Sequence, residues 1–122
     1  MAVKFEQNIP IYLQVAQMIK ESVIRGDLAE GEPIPSVRKF SVDQGLNPQT
    51  VLNASQILVS DDILEKRRGL GLFVTEGARA RLLAQEIEHY KMRQVPALIS
   101  RGKLLGVAQS ELVKLVKDNY QE

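Results

Sequence analysis

The sequence predicts a mainly α-helical chain with one small β-hairpin. Three observations predict it. Apolar residues recur at helical spacing along most of the chain. Two short helix starts, at Ser36 and Asn47, flank a glycine-containing turn. Two strand-length runs, 63–67 and 72–75, bracket the glycines at 69 and 71. With 122 residues the chain can form one compact domain and a short extension, but not two domains that each bury a full core. Hydrophobic residues make up 44% and charged residues 25%, ordinary for a globular protein and unlike a disordered or fibrous one.

Over residues 10–25, Tyr12, Val15, Ala16, Ile19 and Val23 share one helical face. Gly26 offers a left-handed C-terminal cap, and the turn-rich run Glu30, Gly31, Glu32, Pro33 cannot continue a helix. Ser36, after Pro35, is an N-cap for a second helix of barely three turns. Its Val37, Phe40 and Ser41 form a buried face, and Gly45 ends it. A third helix begins at Asn47, whose side chain caps it, while Pro48 takes the first turn, where a missing N–H costs nothing. Val51, Ala54 and Leu58 face inward with Ile57 beside them; Gln49, Thr50 and Asn53 point away. Two short helices joined by a tight glycine turn form a helix-turn-helix. Asp61 and Asp62 stop the third helix, because both tolerate turn and left-handed backbone. The strand runs around Arg68, Gly69, Leu70 and Gly71 then make a hairpin wing, completing a winged helix-turn-helix over residues 1–75.

Residues 76–122 read as a short helical dimerisation domain. Ala80, Leu83, Ile87 and Tyr90 share a face, and Pro96 should end or kink their helix. A second helical stretch covers 97–105 and stops at Gly106; a third runs from about 109 to 119 with Leu112, Leu115 and Val116 on its apolar face. These pieces cannot enclose an ordinary core by themselves. Their apolar faces must pack on the winged domain or on a second copy, and the second option makes a homodimer with Leu83, Ile87, Tyr90, Leu98, Leu112, Leu115 and Val116 at its interface. His89 and Tyr90, at helical spacing, belong to that face sooner than to an effector cavity.

Several function classes are poor fits. The chain has no cysteine and a single histidine, His89, so neither a zinc-thiolate site nor a two-histidine metal site can be assembled, and no cofactor is expected. Glu86 and Glu88, two apart on a helix, diverge, and Ser36 has a capping role with no histidine nearby in sequence to activate it, so an enzyme is not expected. No apolar run approaches the roughly 20 residues that span a bilayer, and residues 1–5 lack the apolar stretch of a secretory signal, which leaves a cytoplasmic protein without membrane contact. Through Thr75, Lys4, Lys20, Arg25, Arg38, Lys39, Lys66, Arg67 and Arg68 stand against nine acidic residues, a net charge of −1. If this half binds DNA, its affinity must come from the clusters Arg38, Lys39 and Lys66, Arg67, Arg68 brought onto one face.

The residues Pro10-Ile11-Tyr12, Gly26-Asp27-Leu28, Gly31, Pro35-Ser36-Val37-Arg38, Asn47-Pro48-Gln49-Thr50-Val51 and Arg67-Arg68-Gly69-Leu70-Gly71-Leu72-Phe73-Val74 resemble, in order and spacing, the GntR family of bacterial transcription regulators. The short helical tail is similar to the YtrA-type branch, whose members are usually dimeric repressors, often of transporter operons. The resemblance implies that Arg38 grips phosphate, that Asn47, Pro48, Gln49 and Thr50 open a recognition helix, and that Arg68 and Gly69 form the wing tip in the minor groove. The chain departs from the family pattern at Leu52 and Leu70, where arginine is frequent, at Leu72 and at Asp62. These departures imply modest intrinsic affinity.

Physical chemistry leads to the same residues. The N-terminal end of a helix in the major groove presents polar side chains to base edges and N–H groups to phosphate. Gln49 is the expected base reader, since its amide pairs bidentately with adenine, and Thr50 and Asn53 can touch phosphate or base. Arg68 beside Gly69 suits a narrow minor groove, with Arg38, Lys39, Lys66 and Arg67 on phosphate and Ser36 also counted among the DNA-binding residues. The expected partners are a near-palindromic double-stranded operator and a second copy of the chain. A small-molecule inducer would have to bind between the tail helices or between tail and head. The alternative is a winged-helix protein-interaction module, favoured by the −1 charge of the first 75 residues and by Leu52.

Overall fold

In a computed structural model, which describes residues 7–121, the chain is helical with one antiparallel hairpin. Residues 1–5, including Lys4, and Glu6 lie outside the described residues. The elements are α1 (Ile11–Arg25), α2 (Val37–Gln44), α3 (Pro48–Ser60), β1 (Leu64–Arg67), β2 (Gly71–Val74), α4 (Ala78–His89), a π-turn (Tyr90–Gln94), α5 (Val95–Leu104) and α6 (Gln109–Tyr120). They form two compact units, one ending at Leu83 and the other beginning at Ala84.

The first unit is built around α3, which packs on α1, α2 and β1. Helix α1 buries Val15, Ala16, Ile19 and Val23, the predicted stripe, and ends at Gly26 in the left-handed region, φ 87°. At the start of α2, Ser36 Oγ accepts the Lys39 N–H at 3.1 Å. Its end is closed by Gly45, φ 66°, with the Leu46 N–H donating back to the Ser41 carbonyl at 2.8 Å. Asn47 Oδ1 then accepts the Gln49 N–H at 2.8 Å and starts α3, with Pro48 in its first turn. Val51, Ala54 and Leu58 are buried as the spacing predicts. Ser55 is buried too, and its hydroxyl donates to the Val51 carbonyl, so no polar atom is orphaned there.

Strands β1 and β2 pair Leu64 with Val74, Glu65 with Phe73, Lys66 with Leu72 and Arg67 with Gly71. Period-2 alternation buries Leu64 and Val74 and turns Glu65, Arg67 and Phe73 to the opposite side. The segment 31–34, which the sequence reads only as a turn, lies along β2: Gly31 N–H donates to Val74 O, Val74 N–H to Glu32 O and Ile34 N–H to Leu72 O. Pro33 and Pro35 suit such an edge, because neither has an N–H to offer a ladder.

The sequence places the end of the winged domain at Thr75, yet this compact unit continues to Leu83. The first turns of α4 contribute Ala78 and Leu82, both fully buried in the same cluster as Ile19, Leu58 and Val74. The apolar stripe read from the sequence, Ala80, Leu83, Ile87 and Tyr90, is a different face: Ala80, Ile87 and Tyr90 are exposed and Leu83 is half-buried.

In the second unit no described residue is buried. Pro96 does not end the helix. Ahead of it the backbone widens into the π-turn, where the Val95 N–H donates to the Tyr90 carbonyl five residues back. That wider turn makes room for a ring that would clash with the carbonyl four residues earlier in an α-helix. Gly106, φ 76°, follows the end of α5 at the predicted stop, and the Val107 N–H donates back to Gly102 O. Between α5 and α6 lies an apolar cleft of about 720 Å³, whose lining includes Leu98, Ile99, Leu112 and Val116.

Candidate nucleic-acid interface

The site begins with the capped N-terminus of α3. Asn47 spends its side-chain oxygen on the Gln49 N–H, and its own carbonyl accepts the N–H groups of Thr50 and Val51. Pro48 has no N–H to satisfy, so the first turn is closed without help from any other segment. This turn carries Gln49, which is exposed, with Thr50 and Asn53 half-buried beside it. Gln49 Nε2 donates to Asn53 Oδ1 at 2.9 Å, one helical turn on. That bond uses one Nε2 hydrogen and leaves the amide a second hydrogen and Oε1, the donor–acceptor pair that matches N7 and N6 of adenine.

The cations fall into two groups. Arg38, Lys66 and Arg68 are exposed and make no ion pair among the described residues. Lys39 pairs with Asp43 at 3.1 Å, one turn along α2. Arg67 donates to Glu65 at 2.8 Å on its own strand, and its guanidinium sits 4.1 Å from the centroid of the Phe73 ring. Exposed pairs of this kind are worth less than about 1 kcal/mol, so a phosphate can replace either carboxylate. The stacking of Arg67 on Phe73 gives it a second task, stiffening the hairpin that carries Arg68. The period-2 pattern held the signal for this cross-strand cluster, since Glu65 faces Phe73 and Arg67 is two residues on.

At the wing tip the Leu70 N–H donates to the Arg67 carbonyl at 2.9 Å, closing a tight turn. Gly69 and Gly71 take φ 76° and 105°, backbone that a side-chain-bearing residue adopts only with strain. Arg68 and Leu70 are therefore held at the apex, and Leu70 is 69% exposed. Ser36 is exposed, but its hydroxyl oxygen serves the cap of α2; Pro48 and Gly69 offer no side-chain donor.

A polar clasp that sequence reasoning missed joins the loops of this unit to the start of α4. Glu30 accepts the Gly77 N–H at 2.9 Å and the Arg79 N–H at 3.0 Å, acting as a cap from 47 residues away. The Gly77 and then the Arg79 backbone N–H hold its carboxyl below the ordinary carboxylate range, although it is exposed. Arg79 Nε donates to the Ile24 carbonyl, and Arg81 donates to the carbonyls of Asp62 and Glu76 and to the Thr75 hydroxyl. Thr75 in turn donates to Asp62 O. These contacts hold Asp62 at φ 59°, a position where glycine would be unstrained. No local sequence signal announces contacts of this separation.

Of the residues expected at a dimer interface, Ile87, Tyr90, Leu98, Leu115 and Val116 are exposed large apolar side chains, and Leu112 is half-buried in the cleft of the second unit. Leu83 belongs to the first unit and is half-buried. No helix among the described residues is long and apolar enough to cross a membrane.

Residues 11–74 match the family of bacterial regulatory proteins, gntR family. Over 111 residues the chain is 32% identical to the HTH-type transcriptional repressor YtrA of Bacillus subtilis (strain 168), covering 91% of this chain and 85% of that protein. It is similar in structure to a GntR family transcriptional regulator from Listeria monocytogenes, with a TM-score of 0.76 and 25% identity over 93% of this chain and 98% of that one. The DNA-binding domain of AraR, solved in complex with operator ORX1, shares the fold over 62% of this chain and 95% of that one, at 24% identity and a TM-score of 0.56. The chain belongs to the gntR family of bacterial regulatory proteins.

Proposed function

We propose that the chain is a cytoplasmic, dimeric, sequence-specific DNA-binding repressor rather than an enzyme. The observation that carries this reading is the self-capped first turn of α3, which presents the Gln49 amide, braced by Asn53, to solvent. In the proposed complex α3 enters the major groove and Gln49 pairs with an adenine. Arg38, Lys39, Lys66 and Arg67 meet phosphates, and Arg68 enters the adjacent minor groove. The operator-bound AraR domain of the same fold supports this assignment, as does the name of the B. subtilis relative, a transcriptional repressor.

The exposed apolar faces of α5 and α6 are proposed to pair with those of a second copy, because large apolar side chains such as Leu98, Leu115 and Val116, each about half exposed, are costly to leave in water. The two recognition helices then enter successive major grooves about 34 Å apart on a near-palindromic operator and block transcription. A transporter operon is the proposed target. An inducer would act by changing the separation of the two heads.

The test is selection of duplexes from a random pool by the full-length chain, followed by mobility shift and sedimentation. Enrichment of a near-palindrome bound by a dimer is expected. Binding of every duplex with equal affinity, or no binding at low salt by a folded dimer, would overturn the proposal.

A further inference from the structure

We infer that Leu52 reads the methyl group of a thymine next to the base pair read by Gln49. This inference rests on the proposed placement of α3 in the major groove. Along the outward face of α3 the residues are Gln49, Leu52, Asn53 and Gln56, spaced at i, i+3, i+4 and i+7, so they share one stripe. Three are amides. Leu52 is the apolar member, 39% exposed, while the buried side of the same helix is completed without it by Val51, Ala54, Ser55 and Leu58.

Leu52 is thus not a core residue leaking into solvent. It is an apolar side chain set among hydrogen-bonding ones on the surface proposed to meet base edges. Gln49 and Asn53 are hydrogen-bonded to each other beside it, which ties these two polar neighbours to one another.

The chemistry of the groove selects the occupant. Among the features that the four base pairs present in the major groove, the thymine C5-methyl is the apolar one; the rest are donors and acceptors that a leucine would strip of water without repayment. Side chains three apart on a helix have Cβ atoms about 5–6 Å apart, and successive base pairs rise about 3.4 Å, so Leu52 reaches one or two steps from the pair under Gln49. The combination specifies an adenine and a nearby thymine in each half-site. A leucine in place of a charged side chain there trades affinity drawn from charge for a preference drawn from shape.

The experiment uses the full-length chain and the best duplex selected from a random pool. Each thymine is replaced in turn by deoxyuridine, which removes the methyl and leaves base pairing intact, and binding is measured by fluorescence anisotropy at fixed salt. One thymine per half-site should be sensitive, with binding about fourfold weaker for a single replacement and about fifteenfold weaker when both half-sites are changed. That sensitivity should vanish in Leu52→Ala, and Leu52→Arg should shift the selected base at that step toward guanine.

If every replacement leaves binding within about 1.5-fold, or if the loss persists unchanged in Leu52→Ala, the inference is overturned while DNA binding through α3 stands. If no duplex is enriched, the reading beneath it falls and takes this inference with it.

Discussion

Replacing Leu82 by alanine tests whether the first turns of α4 are part of the core of the winged unit. Leu82 is fully buried and belongs to the cluster that includes Ile19, Leu58, Ile63 and Val74. Truncating it removes three buried carbons and leaves a cavity, and for leucines in such settings the loss is about 2–5 kcal/mol. A unit of this size has total stability of about 5–15 kcal/mol, so the variant forfeits a large share. With about 4–8 °C per kcal/mol for a domain of this length, a loss near 3 kcal/mol lowers the melting temperature by roughly 12–24 °C. The assay is thermal unfolding followed by circular dichroism, at one protein concentration because association would shift the midpoint. Leu58→Ala serves as the positive control and Leu70→Ala, at the exposed wing tip, as the neutral one. If Leu82→Ala melts like Leu70→Ala while Leu58→Ala is strongly destabilised, the packing described for α4 is wrong.

Asn47→Ala should lower stability by about 1 kcal/mol through loss of the α3 cap, while Asn47→Asp keeps the cap but brings a negative charge toward phosphate; urea titration alongside anisotropy checks that stability and binding separate in this way. Glu30 has a carboxyl held below its ordinary 4.5, so its contribution to stability is present above that value and disappears as the pH falls through the lowered one. The melting-temperature gap between wild type and Glu30→Gln should therefore be open at pH 7 and close below 4.5; a gap constant down to pH 3 would contradict the clasp. Leu98→Asp, in the cleft of the second unit, should give a folded monomer by sedimentation with much weaker operator binding, and a dimer of undiminished affinity would remove this face from the interface.

What the sequence disclosed follows from the range of the forces involved. The starts of α2 and α3 were legible because a cap is a local bargain: Ser36 with Lys39, and Asn47 with Gln49 behind Pro48, settle within a few residues. The wing was legible because the glycines at 69 and 71 can adopt backbone that other residues resist. The edge formed by residues 31–34 was not, since its partner carbonyls lie some 40 residues away on β2 and two prolines disguise it as a turn.

Helix α4 carries two apolar stripes. Periodicity identified Ala80, Leu83, Ile87 and, just past the helix end, Tyr90, yet the core takes Ala78 and Leu82, and spacing alone cannot say which stripe meets the protein and which is left for another surface. Within the candidate site, residue identities were legible, but their pairings were not. The engagement of Lys39 with Asp43, Arg67 with Glu65 and Phe73, and Gln49 with Asn53 depends on rotamers that a sequence does not encode locally.

Because the chain contains no cysteine, single-cysteine variants Gln49→Cys and Leu70→Cys can each carry a DNA-cleaving iron chelate without background. Mapping their cuts on the selected duplex tests most directly whether α3 and the wing grip one half-site together. The account predicts major-groove cuts from position 49 and minor-groove cuts from position 70 within the same half-site, repeated symmetrically in the other. Cuts from one position only, or at unrelated places along the duplex, would contradict it.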